Sequence, residues 1–226
     1  MICHARLTAG GIETACITQI REFSRRGYKI YVLAENGFYA EKLKQIKGVT
    51  YIDFPYESRA SYNLQKVEQV KEIIEKYNIK LVYIHQIDCV ASVLSACILT
   101  NTPYIAYVHH GITGVYDDEL QMGNMGRNFQ TLYYKMASKI IAIQEASKKE
   151  NMERFKLEEN KYKIIPNCVD FLEFNSKSPI NLNKVLLISR FERDKKNGVI
   201  NGLRWFLEYK KLNSKAELTI VGDGSQ

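Results

Sequence analysis

Arg190 and Lys195 are the residues of this sequence best suited to act on a charged group. Arg190 directly follows the apolar run Leu186-Leu187-Ile188-Ser189, at the end of an expected strand, and Lys195 lies in the turn beyond it. Two cations held at a strand end can neutralise developing negative charge without a metal. The plainer alternative is a basic surface turn that also includes Arg193 and Lys196, with Lys196 as the alternative in register. A second candidate is His109-His110-Gly111, where an apolar strand ends. Neighbouring residues on a strand point to opposite sides, so one histidine is expected to face a cleft and the other to pack. Ligands of open α/β sheets gather outside the carboxyl ends of strands, although a strand-end histidine also has a purely structural alternative. Gly10, Gly11 and Glu13 belong to a turn, Thr8-Ala9-Gly10-Gly11-Ile12-Glu13, that leads into a helix. Glycine lets backbone approach a ligand, and a helix N-terminus favours negative charge. The turn lacks the G-x-G-x-x-G spacing of a dinucleotide site, and a tight connection with no ligand is its alternative. Gly222 and Gly224 close another apolar run in Val221-Gly222-Asp223-Gly224, which also fits the first half of a Rossmann fingerprint.

The elements that must position these residues alternate. Apolar strand-like runs are read at Ile2–Ala5, Ile30–Ala34, Val49–Phe54, Leu81–His85, Tyr104–Val108 and Ile140–Ile143. Between them lie helical stripes: Ile17, Ile20 and Phe23 in one, and Val67, Val70, Ile73, Ile74 and Tyr77 in a clearer one with the spacing of a face packed on a sheet. Alternating strands and helices with continuously apolar strands imply a parallel sheet covered on both faces, joined by right-handed crossovers. Periodicity fails around Phe171–Asn183, where Asn, Ser, Lys and Pro accumulate, and that stretch is read as a linker. Val185–Ser189, a helix over about Gly198–Lys211, and Leu218–Val221 then open a second α/β domain. The expected organisation is residues 1–170 as one domain, 171–183 as linker and 184–226 as an incomplete second domain. A strand ending in Gly-x-Gly ordinarily delivers the chain to a helix, yet the sequence stops two residues after Gly224, so a C-terminally truncated protein is expected.

Composition narrows the function classes. The 32 Lys+Arg against 25 Asp+Glu give a net charge of +7. That excess suits an anionic ligand, an anionic membrane surface or a solvated lysine-rich face. Nucleic acid is not an expected partner, because no concentrated arginine block or recognition module is present. Cys3, Cys16, Cys89, Cys97 and Cys168 are scattered without C-x-x-C spacing, which argues against a zinc site and a disulfide framework and for buried thiols in a reducing compartment. The sequence has no apolar run long enough to cross a membrane, and no signal peptide is expected, since Arg6 and the glycines interrupt the start. A cytoplasmic protein is expected, with a membrane-peripheral placement left open.

Taken in order, the motifs resemble the GT-B retaining glycosyltransferases of family 4. Gly10-Gly11-Ile12-Glu13 resembles the family's first glycine-rich turn, and Arg25-Arg26-Gly27-Tyr28-Lys29-Ile30 its entry into the second strand. Val108-His109-His110-Gly111 is similar to its V-H-G, and Ala137-Ser138-Lys139-Ile140-Ile141-Ala142-Ile143 to its A-D-x-I-I-A-V. Ile165-Pro166-Asn167-Cys168-Val169-Asp170 resembles I-P-N-G-V-D, with Cys168 where the family has Gly, and Gln144 stands where a Ser often sits. Ser189-Arg190-Phe191 with Lys195, followed by Val221-Gly222-Asp223-Gly224, completes the set. The family's acidic E-x7-E motif would lie downstream of Gly224 and is not in this sequence.

The resemblance implies a GT-B fold in which a Rossmann-like N-terminal domain is followed by the beginning of a second. It implies transfer of a sugar from a nucleotide-sugar donor to a glycan or lipid-linked acceptor, with retention and with no metal or other cofactor. Arg190 and Lys195 would stabilise the departing diphosphate, and His109 would lie by the transferred sugar. Gly10, Gly11, Glu13, His110, Gly111 and Asn167 would line the substrate cleft, with Gly222 and Gly224 beside the nucleotide. Apart from the resemblance, the glycine- and acid-rich loop containing Gly114, Asp117, Asp118 and Glu119 is read as a solvated loop by default, with an acceptor-facing role as the alternative. Two alternatives stand beside this: a non-catalytic GT-B fragment or binding module, and a sugar-nucleotide epimerase of the same two-domain form.

Overall fold

The structure is a computed structural model that describes residues 1–8, 10–56, 63–85, 90–109, 130–168, 179–191 and 195–224. The chain divides into two compact units, Met1–Asp170 and Phe171–Gln226.

In the first unit seven parallel strands form one sheet: β1 (Ile2–Arg6), β2 (Ile30–Glu35), β3 (Val49–Asp53), β4 (Val82–Ile84), β5 (Tyr104–Val108), β6 (Lys139–Ala142) and β7 (Tyr162–Ile164). Their spatial order is β3-β2-β1-β4-β5-β6-β7. The chain builds outward from β1 to β3, then resumes on the other side of β1 with β4. The order therefore reverses between β1 and β4, where an open α/β sheet leaves a crevice at its carboxyl edge. The sequence reading placed the first six strands to within a residue or two. It omitted β7, a three-residue strand with one buried side chain, Tyr162, and hence almost no apolar period to detect.

Helices α1 (Gly11–Arg25), α2 (Ala40–Lys44), α3 (Leu64–Lys76) and α4 (Val90–Leu99) are followed by helical residues 130–136 (α5) and by α6 (Glu145–Phe155). Strand alternation sends neighbouring residues into two separate cores. Ile2, Val32 and Ala34 pack with Cys16, Ile17 and Ile20 of α1 and Ala40 and Leu43 of α2. Cys3 and Leu33 pack on the opposite face with Val67, Val70 and Ile74 of α3, Val93 and Leu94 of α4, Tyr133 and Tyr134 of α5, and Phe155 of α6. Burying each Leu or Ile contributes about 1.5–3 kcal/mol relative to exposure. Helix α3 begins where Asn63 accepts hydrogen bonds from the backbone N–H of Gln65 at 2.9 Å and Lys66 at 3.3 Å, satisfying two of the amides that a helix start leaves open.

The second unit is a βαβ element: β8 (Lys184–Ile188), α7 (Lys196–Leu212) and β9 (Glu217–Val221), with β8 and β9 parallel. The pairing runs on past both strands, Ser189 N–H donating to Val221 O at 3.1 Å and Phe191 N–H to Asp223 O at 2.9 Å. A Cβ on Gly222 would lie 1.9 Å from Ser189 O, and one on Gly224 would lie 2.2 Å from Phe191 O. Both glycines are thus required by backbone packing.

Candidate functional site

Three of the chain's four histidines meet at the carboxyl edge of the first sheet. His4 lies in β1, His85 directly follows β4 and His109 directly follows β5. All three are buried. A parallel sheet brings together strand ends that are remote in sequence, and the reversal between β1 and β4 puts this edge at the crevice.

Tyr133 of α5 shapes the edge. Its hydroxyl donates to Ile84 O at 2.8 Å and accepts from Tyr107 N–H at 3.1 Å, so it bridges the last residue of β4 to β5. The residues immediately beyond that bridge are His85 and, on β5, Tyr107 to His109. The rings of His85 and Tyr107 stack with centroids 4.1 Å apart and planes inclined by 17°, and His109 stacks on Tyr107 at 5.2 Å and 11°. His85 Nδ1 is 3.1 Å from His109 Nε2, and His85 Nε2 is 3.1 Å from Gln19 Oε1 on α1. The Gln19 amide nitrogen donates in turn to the Tyr107 hydroxyl.

Burial, together with the nearby rings of His109 and His4, holds His85 well below the usual histidine range, so its ring is neutral. Burial pushes the Tyr107 hydroxyl up to about 12 despite the Gln19 hydrogen bond, and it too stays neutral. Glu22, half-buried on α1, is held at about 2 by hydrogen bonds from Arg25 and Arg26, so it stays ionised.

These groups line a cavity of about 160 Å³. One wall is α1, through Ala15, Thr18, Gln19, Glu22 and Phe23; the floor is His85, Tyr107 and His109; the third side is Ile165, Pro166, Asn167 and Cys168. Thr18, Gln19, Glu22 and Phe23 recur at helical spacing, which is why one flank of α1 supplies a whole wall.

At the start of α1, Glu13 is buried, its carboxylate accepting from the Thr8 hydroxyl at 3.1 Å and lying 3.9 Å from His4 Nε2. A carboxylate in the first helical turn also meets the positive end of the helix dipole. A Cβ on Gly10 would fall 2.3 Å from Glu13 Oε2, so the glycine makes room for that carboxylate, whereas one on Gly11 would enter open space. Gly10 has φ −163°, extended backbone that any residue adopts, so its role here is space rather than backbone freedom.

Of the residues singled out from the sequence, the first unit brings His109 and Asn167 to one cavity, with Gly10, Gly11 and Glu13 at the start of the helix that walls it. His110, Gly111 and the loop containing Asp117 and Asp118 lie outside the described residues. Arg190, Lys195, Gly222 and Gly224 belong to the second unit. Arg190 is exposed between the two amides that pair with the 221–223 backbone, and Lys195 is exposed at the cap of α7. Sequence reasoning missed His4, His85, Gln19 and Tyr107. A signal was present for one of them: the run Leu81–His85 ends on a histidine, as the run into His109 does. Among the described residues no group of three or more His, Cys, Asp or Glu could hold a metal ion, and no helix is long and apolar enough to cross a membrane.

The family model for Glycosyltransferase Family 4 matches residues 9–171. No curated protein matches the chain. Among solved structures, Anabaena HepE in complex with UDP and glucose is similar with a TM-score of 0.72 and 17% identity, over 99% of this chain and 61% of that one. A glycosyltransferase from Rickettsia africae is similar with a TM-score of 0.65 and 17% identity, over 99% of this chain and 68% of that one. A putative UDP-N-acetylglucosamine 2-epimerase from Listeria monocytogenes is similar with a TM-score of 0.60 and 14% identity, over 97% and 61% of the two chains. At these identities the likeness is one of fold. The chain spans 61% of the length of HepE.

Proposed function

The chain belongs to Glycosyltransferase Family 4, and from that premise we infer that it contributes to transfer of a sugar, of the hexosyl type, from a nucleotide-sugar donor to a glycan or lipid-linked acceptor with retention. The observation that carries this reading is the family match across residues 9–171, the stretch that also supplies the residues lining the cavity at His109. Support for the donor class comes from HepE, whose structures hold UDP with glucose and UDP-glucose.

In this proposal the first unit takes the acceptor and the reacting sugar. Gly10, Gly11 and Glu13 at the helix start, His109 and Asn167 at the cavity, and His110 and Gly111 beyond β5 form the substrate side. Arg190 and Lys195 neutralise the departing diphosphate, which supplies the charge stabilisation that a metal otherwise provides. Gly222 and Gly224 lie beside the nucleotide. The transition state is oxocarbenium-like, and no cofactor is required. The reaction belongs in the cytoplasm, where nucleotide sugars are the donor pool, with peripheral membrane contact if the acceptor is lipid-linked.

A second reading, sugar-nucleotide epimerisation, is favoured by the fold likeness to epimerases. One experiment separates the two. The complete gene product is incubated with a panel of nucleotide sugars, with and without glycan and lipid-linked acceptors, and the product anomer is read by NMR. Acceptor-dependent transfer with retained configuration supports the transferase. Interconversion of the donor sugar with no acceptor present supports the epimerase, and binding without turnover supports a non-catalytic module. Arg190→Ala in the same protein should lower turnover by roughly 10²-fold or more; an unchanged rate would remove the diphosphate role.

A further inference from the structure

The amino edge of the first sheet, opposite the histidines, carries a row of lysines with apolar side chains set among them, and we infer that this edge docks on an anionic lipid bilayer. The strands of this sheet are all parallel, so the residues that lead into them collect on one edge. Lys29, Lys47, Lys80 and Lys161 lie within two residues of a strand start, and Lys139 is the first residue of β6. Taken in the spatial order of the strands they run Lys47, Lys29, Lys80, Lys139, Lys161. At about 4.8 Å per strand the row spans roughly 29 Å. The helices run back against the strands and end on the same edge, where Arg25, Lys44, Lys76 and Arg154 occupy last turns. The carboxylates here are Glu22 and Glu75 near helix ends and Glu158 and Glu159 before β7. Glu22 is held by Arg25 and Arg26, and Glu159 by Lys148. The carboxyl edge has the opposite sign: β2 ends on Glu35 and β3 on Asp53, and Glu13, Glu41 and Glu145 sit in first helical turns. Arg6, at the end of β1, is paired there with Glu35 at 3.5 Å.

Helix dipoles account for cations in last turns, but the effect fades within that turn and does not reach the strand starts. Lys80 donates to the Asn78 side chain, Lys139 to Asn160 O and Lys161 to Lys135 O. These acceptors are neutral, so the contacts leave the lysine charges uncancelled. Apolar side chains stand in the same row. Tyr28, beside Lys29, is 62% exposed, and Leu99, which ends α4, is 63% exposed. Ile98 and, at the end of α5, Met136 are exposed too. Helix α4 leads into β5, which lies between β4 and β6, so Leu99 falls between Lys80 and Lys139. A single exposed apolar residue is ordinary. Apolar residues interleaved with lysines along one edge suit a bilayer, which meets ammonium groups at its anionic headgroups and apolar side chains beneath them. Tyrosine is at home at that boundary. A nucleic acid or an acidic protein would use the charge alone. Seated this way, a five-residue strand holds the opposite edge, with His85 and His109, about 16 Å further from the lipid.

The test is co-sedimentation of the 226-residue chain with vesicles of phosphatidylcholine, with and without one-third phosphatidylglycerol. Binding should require the anionic lipid and weaken as salt is raised. Lys29→Gln, Lys80→Gln and Lys139→Gln combined should lower the partition coefficient roughly 10²-fold. Tyr28→Ser with Leu99→Ser should lower it roughly 10-fold. Lys184→Gln, Lys211→Gln and Lys215→Gln combined remove the same charge from the second unit and should change it little. Every side chain altered is exposed, and far-UV circular dichroism checks that each variant is folded. Three results overturn the inference: no binding to the anionic vesicles, equal losses from the two lysine triples, or a loss from the first triple with none from Tyr28→Ser and Leu99→Ser. The last is the behaviour of a nucleic-acid or acidic-protein site. The inference gives a surface to the membrane contact named in the proposed function but rests on charge and exposure, not on catalysis. Absence of sugar transfer would therefore sink the proposed function alone, and absence of vesicle binding this inference alone.

Discussion

The two units are written in the same local code and end in different states. Strands β1 and β2 and strands β8 and β9 are all short apolar runs joined in parallel through helices. In the first unit Ile2, Val32 and Leu33 are almost completely buried, because helices cover both faces of the sheet. In the second unit Leu186 is 58% exposed, Ile188 70% and Trp205 of α7 73%, and Ala216 is the one buried apolar residue among those described. An apolar run at every position is the signature of a strand covered on both sides. The second unit carries that signature with one helix against two strands, so its local pattern states a requirement that its own described residues do not meet. Secondary structure can follow from the local pattern, and a core cannot.

The comparison breaks most sharply with one isoleucine from each unit. Ile20→Ala, in the packed face of α1, should cost about 2–5 kcal/mol in urea unfolding. Ile188→Ala, on exposed β8, should stay within about 0.5 kcal/mol. Equal losses at the two sites would show that the second unit is packed after all. Next in size is Tyr133→Phe, which leaves Ile84 O and Tyr107 N–H without the hydroxyl that joins them. A loss of about 1–3 kcal/mol is expected. Thermal melts indistinguishable from wild type would mean that the bridge is not needed to hold the strand ends.

The pH dependence of stability should likewise come from the first unit. Above pH 6.5 His85 is neutral in both the folded and the unfolded chain, and folding moves no proton. Below 6.5 the unfolded chain binds a proton that folded His85, with its lowered pKa, does not. Stability is therefore lost as pH falls, by up to about 1.4 kcal/mol per pH unit until the folded pKa is reached. Denaturant midpoints measured from pH 7.5 to 5.5 should show the slope, and His85→Gln should flatten it. An unaltered slope in that variant would locate the proton uptake elsewhere. The smallest effect concerns helix starts. Asn63→Ala removes the side-chain cap of α3 and should cost about 1 kcal/mol. Lys195 caps α7 with no side-chain bond to the helix amides, so Lys195→Ala should leave capping untouched.

Much of the frame was legible because its signals are local. The stripes Ile17-Ile20 and Val67-Val70-Ile74 fall on buried helix faces, and Tyr104–Val108 is a strand with the bounds read from the sequence. The order of the motifs led to the family that the match over residues 9–171 shows. The histidine network was not legible in the same way. His4, His85 and Gln19 have no shared spacing, and each taken alone resembles an ordinary core or helix residue. Gly222 and Gly224 could be read as ligand-facing from sequence, but their closest neighbours are the backbone carbonyls of Ser189 and Phe191.

Sequence by itself determined the alternation of strands and helices, the parallel class of the sheet and the family, since each depends on periods and motifs a few residues long. Tertiary structure alone decided that β4 returns beside β1, that the edge so formed gathers His4, His85 and His109, and that Gln19 reaches across from α1 to His85. The reason is physical. Hydrophobic periodicity fixes which way a side chain points, whereas the partner it meets depends on strand order and on burial strong enough to keep water from taking the partner's place.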